Sequence, residues 1–189
     1  MAVSKVSIIN KALAHLGERP ITSLSEGTVA STIADAIFEN SVREVLFEHP
    51  WRFAHKRAVL AATGTTPAFE WTHEFELPND FIRMVKTYPE YPDTFPHAIE
   101  GDKMYTNTSA PQVEYIAYIE EAGLYTPGFV TVLALHLAYH MAPRVKDSAR
   151  DTQALFELYE NRLNRMRSLD SQQGTPDEPK QDEWLGART

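Results

Sequence analysis

The sequence contains no cysteine among its 189 residues. Disulfide bonds, thiolate catalysis and cysteine-ligated zinc are therefore excluded. The longest apolar stretch, FVTVLALHLAYHMA, has about 14 residues and includes two histidines, whereas a helix that spans a bilayer needs about 20. The N-terminal stretch MAVSKVSIINKALAHLGERP lacks a continuous apolar segment. We therefore expect no secretion signal, no membrane partner and synthesis in the cytoplasm.

Positive charge is also scarce. The chain has 18 Lys and Arg residues against 26 Asp and Glu residues, which gives a formal net charge of −8. This balance argues against a protein that wraps DNA through phosphate neutralisation, because such proteins present clustered basic side chains. An acidic surface could line a channel through which DNA slides without sticking, or it could serve only to keep the protein soluble. Composition does not distinguish these two roles.

Common catalytic and metal-binding motifs are missing as well. There is no G-x-S-x-G nucleophile motif, and no glycine stretch has the Lys-Ser/Thr ending of a phosphate loop. His136 and His140 are four residues apart, but Leu137 replaces the glutamate that zinc proteases need after the first histidine, and no carboxylate lies within a turn of the pair. We therefore predict no metal site, no cofactor and no catalytic residue, and we interpret both histidines as polar positions between helices.

Two other groups of residues allow alternative functions. Glu74 and Glu76 would share one face of a strand at a separation of about 7 Å, which permits a two-carboxylate glycosidase that degrades cell wall. Arg52, Lys56 and Arg57 alternate with aromatic side chains, so they are the candidate DNA-facing residues. The simpler interpretation of both groups is a strand with a charged, solvated face.

Apolar residues recur every three or four positions in four segments, which predicts four helices. These are residues 6–16, 28–48, 126–145 and 147–169. Gly17 suits the C-cap of the first helix. Phe38 and Phe47 lie off the main apolar stripe of the second helix, so we expect that helix to pack on a second face. The third is apolar almost throughout, which is typical of a buried central helix.

Between the second and third helices, short alternating runs broken by Pro, Gly and Asn predict about five strands. The sequence Glu100-Gly101-Asp102-Lys103 predicts a tight hairpin. The run PQVEYIAYIEE carries bulky residues on both faces, which indicates a central strand covered on both sides.

The predicted fold class is α+β, mainly α: a four-helix bundle in α-α-β-α-α order, with a small inserted antiparallel β-rich portion and a flexible C-terminal tail. In this prediction residues 1–50 and 123–169 form the two halves of the bundle. Residues 51–122 form the β-rich insert, and residues 170–189 form the extended tail.

The tail combines a polar segment with two large apolar residues. DSQQGTPDEPKQDE has no aliphatic or aromatic side chain, so it cannot bury enough apolar surface to order itself. Trp184 and Leu185 follow it directly, and we predict that they contact a partner, a neighbouring copy or their own subunit. Arg162 and Arg165, near the end of the last helix, are further candidate partner contacts.

Several stretches together resemble the tail tubular protein A family, the head-to-tail adaptors of short-tailed bacteriophages. The resemblance covers residues 7–172. It rests on NKALAHLGERPITSL, on the second helix closing in PWRFA, on FELPNDFIRMVK, on VEYIAYIEE and on LYENRLNRMRSLDSQQG. These are packing patterns in a particular order rather than a chemical signature.

The resemblance implies a virion protein that forms a ring, usually of twelve copies, between the portal protein and the tail nozzle protein. Double-stranded DNA would pass through the bore without sequence-specific binding during genome ejection. It also implies a helical bundle that bears a β-rich portion, with no cofactor and no catalytic residues.

Overall fold

The structure, a computed structural model, describes residues 3–88, 95–145 and 149–172. Within these ranges the chain forms four α-helices and six β-strands. The helices are α1 (Lys5–Leu16), α2 (Val29–Glu48), α3 (Pro127–Val145) and α4 (Ala149–Ser171). The strands are β1 (His55–Val59), β2 (His73–Glu76), β3 (Phe81–Tyr88), β4 (His97–Glu100), β5 (Lys103–Thr106) and β6 (Gln112–Ala117). No helix in these ranges is long and apolar enough to cross a membrane.

Local capping signals set the ends of the first two helices. The Ser4 side chain accepts a hydrogen bond from the backbone N–H of Ser7, which begins α1. Gly17 ends the helix in the left-handed conformation at φ 67°. Thr28 caps α2 in the same way as Ser4 caps α1. The predicted limits of both helices are confirmed to within one residue.

Helix α3 lies at the centre of the helical layer. Most residues from Phe129 to Met141 are buried, and α1, α2 and α4 each pack against α3. Helix α2 also contacts β3 and β6, and Arg83 Nη1 on β3 donates to the carbonyl oxygen of Phe47 at 2.7 Å. The predicted central helix and the predicted second contact face of α2 are therefore confirmed.

The strands form two antiparallel three-stranded sheets, ordered β1-β6-β3 and β2-β5-β4. Strand β6 is central, as predicted: Ile116 faces the helical core, while Val113 and Tyr115 face a second apolar core. The predicted hairpin joins β4 to β5, with Glu100 paired to Lys103. Gly101 has φ 64°, the conformation that the first position of a two-residue hairpin turn requires.

The predicted four-helix bundle with a small β insertion is wrong. Helices α1, α2 and α4 each pack on the central α3, and the described strands form two three-stranded sheets rather than one small insertion. The β-rich region is a substantial two-sheet unit with its own core, built around Leu60, Phe75 and Met104. The physical reason is that β6 is buried on both faces. Ile116 packs in the helical core while Val113 and Tyr115 pack in the second core, so the first sheet contacts the helices as well as the second sheet.

The end of α4 is tied to the chain that follows α2 through a buried carboxylate. Oδ2 of Asp170 lies 3.1 Å from Nε2 of His49 and accepts the backbone N–H of Arg52 at 3.1 Å. Burial lowers the pKa of His49, although Asp170 opposes this shift. A neutral His49 can donate from Nε2, so the carboxylate serves two donors that would otherwise be buried without partners.

Replacing Asp170 with alanine should lower the free energy of unfolding by about 1–3 kcal/mol, because both donors lose their acceptor in a buried site. Urea denaturation followed by circular dichroism measures the change. Ser168→Ala is the control, because Ser168 is an exposed residue of the same helix. Equal urea midpoints for the wild type and Asp170→Ala would show that the contacts of Asp170 do not stabilise the position of α4.

Candidate functional site

The outward face of α4 combines apolar and basic side chains. Leu158, Arg162, Arg165 and Leu169 follow one another at spacings of four, three and four, which places them on one face of the helix. Leu158 is 47% exposed and Leu169 is 48% exposed. We call these four residues the α4 stripe. The packing face of the helix, with Tyr159, Leu163 and Met166, is buried in the helical core.

The α4 stripe has the chemistry of a protein contact surface. Arg165 is exposed, and Nε of Arg162 is shielded from water without a hydrogen-bond partner among the described residues. Exposed leucines beside guanidinium groups offer both apolar area and charged donors, a combination that is common in interfaces. Sequence reasoning selected the two arginines but missed the two leucines, although their helical spacing was a usable signal.

The predicted basic segment does not form one continuous patch. Arg52 precedes β1, while Lys56 and Arg57 are adjacent in the strand and therefore point to opposite faces. Lys56 Nζ lies 2.6 Å from Oδ2 of Asp80, and Arg57 Nη2 lies 3.5 Å from Oε2 of Glu114. These carboxylates offset much of the positive charge. A DNA-facing role for these three residues stays a prediction.

Glu114 links the three strands of the first sheet. Its Oε1 lies 2.6 Å from Nδ1 of His55 on β1, and its Oε2 accepts the hydroxyl of Tyr88 on β3 at 2.7 Å. Burial alone would raise the pKa of Glu114, but hydrogen bonds from Tyr88 and His55 outweigh it and lower the pKa. The carboxylate is therefore ionised at neutral pH and acts as a cross-strand acceptor.

Glu74 has the environment of a structural carboxylate. Oε1 of Glu74 accepts Lys103 Nζ at 2.6 Å and Thr63 Oγ1 at 2.9 Å. The hydrogen bond from Lys103 is the main cause that lowers the pKa of Glu74. The general acid of a glycosidase needs a raised pKa, so this environment favours the opposite protonation state. Glu76 lies at the exposed end of the same strand.

Three side chains from α2 and α3 meet in a site that the sequence did not reveal. Oε2 of Glu44 lies 3.1 Å from Nε2 of His136 and 3.8 Å from Nε2 of His140. We call this group the histidine site. No carboxylate lies within a turn of either histidine in the sequence. Glu44 belongs to α2 and reaches the histidines only because α2 packs on α3.

The histidine site lies in the wall of an open cavity of about 530 Å³. The cavity also contacts the first sheet through Phe81 and Ile82. Burial, with a smaller effect of the neighbouring His140, lowers the pKa of His136 to about 3. Burial also lowers the pKa of His140, against the opposing effect of Glu44. Both imidazoles are therefore neutral at neutral pH.

These features describe an α+β protein that has exposed apolar and basic side chains on its last helix and ion pairs between residues of its β-rich region. The sequence model of one protein family, described as "Tail tubular protein", matches residues 6–113, which is more than half of the chain. The chain therefore belongs to the tail tubular protein family and is a structural component of a phage tail. A search of curated proteins finds no match.

Glu114→Gln should lower the free energy of unfolding by about 1–3 kcal/mol, because the amide offers only one acceptor oxygen to groups on β1 and β3. The matched control is Glu76→Gln, since Glu76 is exposed at the end of a strand in the other sheet. Urea denaturation measures both variants. A Glu114→Gln midpoint equal to that of the control would contradict the linking role.

Proposed function

We propose that this protein is the head-to-tail adaptor of a short-tailed phage, a ring of about twelve copies between the portal and the tail nozzle, without enzymatic activity. The observation that carries the proposal is membership of the tail tubular protein family over residues 6–113. The resemblance of residues 7–172 to the head-to-tail adaptors of that family supports the finer assignment of position and partners.

The α4 stripe is the surface that we assign to assembly. The helix packs mainly on α3, so its outer face is available to another protein. Burying two half-exposed leucines removes apolar surface from water, which is worth roughly 25 cal/mol per Å². Arg162 and Arg165 on the same face add charged donors that match a carboxylate-bearing partner.

The charge distribution supports passage of DNA rather than tight binding to it. The net charge is −8, and two of the three basic candidates, Lys56 and Arg57, face carboxylates at 2.6 and 3.5 Å. A bore of this character would bind phosphates weakly, because few counterions are released on contact. In the proposed ring, Arg52, Lys56 and Arg57 are the residues that DNA passes.

Trp184 and Leu185 lie outside the described residues, and we assign them to docking on the portal or on a neighbouring copy. A fully extended chain from residue 173 to residue 189 would reach at most about 56–61 Å. Burial of the tryptophan is worth about 4–6 kcal/mol before ordering costs, which are on the order of 1–2 kcal/mol per residue. Either the tip docks alone, or the tail gains strand-like hydrogen bonds on its partner that offset the ordering cost.

Leu158→Glu should weaken association with the portal protein of the same phage at least tenfold, because a charge would replace apolar area in the contact. Analytical size-exclusion chromatography of mixtures measures the bound fraction. Asn164→Glu is the matched control: it adds the same charge at an exposed position away from the stripe on the same helix.

Three outcomes of this comparison are informative. If Leu158→Glu loses association with the portal and Asn164→Glu keeps it, the α4 stripe is supported as the portal-binding surface. If both variants bind the portal as tightly as the wild type, the α4 stripe is not the portal-binding surface, but the adaptor proposal is unaffected. Failure of the wild-type chain to join the portal under any condition contradicts the adaptor proposal itself.

Deletion of residues 176–189 should leave the subunit folded, because its helical and second cores lie within the described residues. The same deletion should weaken attachment to the portal or to neighbouring copies. Circular dichroism checks the fold, and sedimentation with the portal measures attachment. Unchanged attachment would remove the proposed role of Trp184 and Leu185, and Trp184→Ala tests the anchor without shortening the chain.

A further inference from the structure

The histidine site has the donor set of a transition-metal centre. His136 and His140 are one turn apart on α3, and Glu44 faces them from α2. One ligand atom from each residue can be chosen so that all three lie within 4.8 Å of one another. Two imidazoles and a carboxylate are ligands that zinc accepts, whereas magnesium and calcium prefer sites made of oxygen alone.

The distances are close to those of a tetrahedral centre. Metal–ligand bonds of about 2.0–2.2 Å place the donor atoms of a tetrahedron roughly 3.3–3.6 Å apart. The separations from Glu44 Oε2 to the two Nε2 atoms, 3.1 and 3.8 Å, lie on either side of that range. Small side-chain rotations of Glu44 and His140, which are 57% and 42% exposed, would suffice to equalise them.

We propose that Glu44, His136 and His140 bind one Zn²⁺ ion between α2 and α3, with water in the fourth position. The adjoining cavity of about 530 Å³ leaves room for that water. A bound ion would join α2 to the central helix, so its effect would be to stabilise this pair. The proposal does not depend on the adaptor assignment.

The surroundings of His136 determine how tightly this site should bind Zn²⁺. Nδ1 of His136 is buried and has no hydrogen-bond partner among the described residues. In metal sites the second imidazole nitrogen usually donates to a carbonyl or carboxylate, and loss of that contact lowers affinity about 10- to 100-fold. We therefore expect saturable but moderate binding, weaker than that of a structural zinc site with a complete outer shell.

Isothermal titration of the purified full chain with Zn²⁺ tests the proposal. The expected result is one ion per chain, with an affinity that excess Mg²⁺ does not change. Glu44→Gln and His140→Ala should each weaken binding at least about tenfold. Both residues are partly exposed, so the variants should fold, and circular dichroism checks this. His15→Ala, an exposed histidine on α1, is the control and should bind like the wild type.

The absence of saturable binding to the wild type would overturn the proposal. Wild-type affinity in either Glu44→Gln or His140→Ala would contradict the three-ligand site. An equal loss in His15→Ala would show uptake by scattered surface histidines and would also overturn it. As a second readout, Zn²⁺ should raise the melting temperature of the wild type and of His15→Ala but not of the two ligand variants.

Discussion

The packing of three helices around α3 is the constraint on which the rest of the structure depends. Phe129, Leu133 and Leu137 are fully buried within a helix whose sides are covered by α1, α2 and α4. Each such side chain contributes about 1.5–3 kcal/mol when it leaves water. A helix as apolar as α3 is stable only when other elements cover its sides, and α1, α2 and α4 do so. The outer face of α4 takes no part in this packing.

Strand β6 connects the helical core to the core of the β-rich region. Ile116 packs with the helices, while Val113 and Tyr115 pack with the second sheet, so one strand belongs to both cores. The hydrogen-bonded Glu114 on the same strand fixes its neighbours β1 and β3. The β-rich region is therefore held against the helices by shared burial as well as by chain connection. This is why a four-helix bundle with a small β insertion is the wrong description.

Local signals in the sequence were sufficient for the elements but not for their arrangement. Gly17 and the Gly101 turn act within a few residues, so the end of α1 and the β4–β5 hairpin could be predicted. Strand pairing was not predictable in the same way: β2 and β3 follow each other but belong to different sheets. The approach of Glu44 to His136 also depends on how α2 packs on α3, which local periodicity does not specify.

Membership of the tail tubular protein family and the exposed leucines of the α4 stripe support the proposal that this subunit uses the outer face of α4 for assembly. The most direct measurement is the mass of the complex that forms when the purified chain is mixed with the portal protein of its phage. A head-to-tail adaptor predicts a discrete complex with a fixed copy number, twelve in the proposed ring. A mixture in which the portal keeps its own mass under all conditions would contradict it.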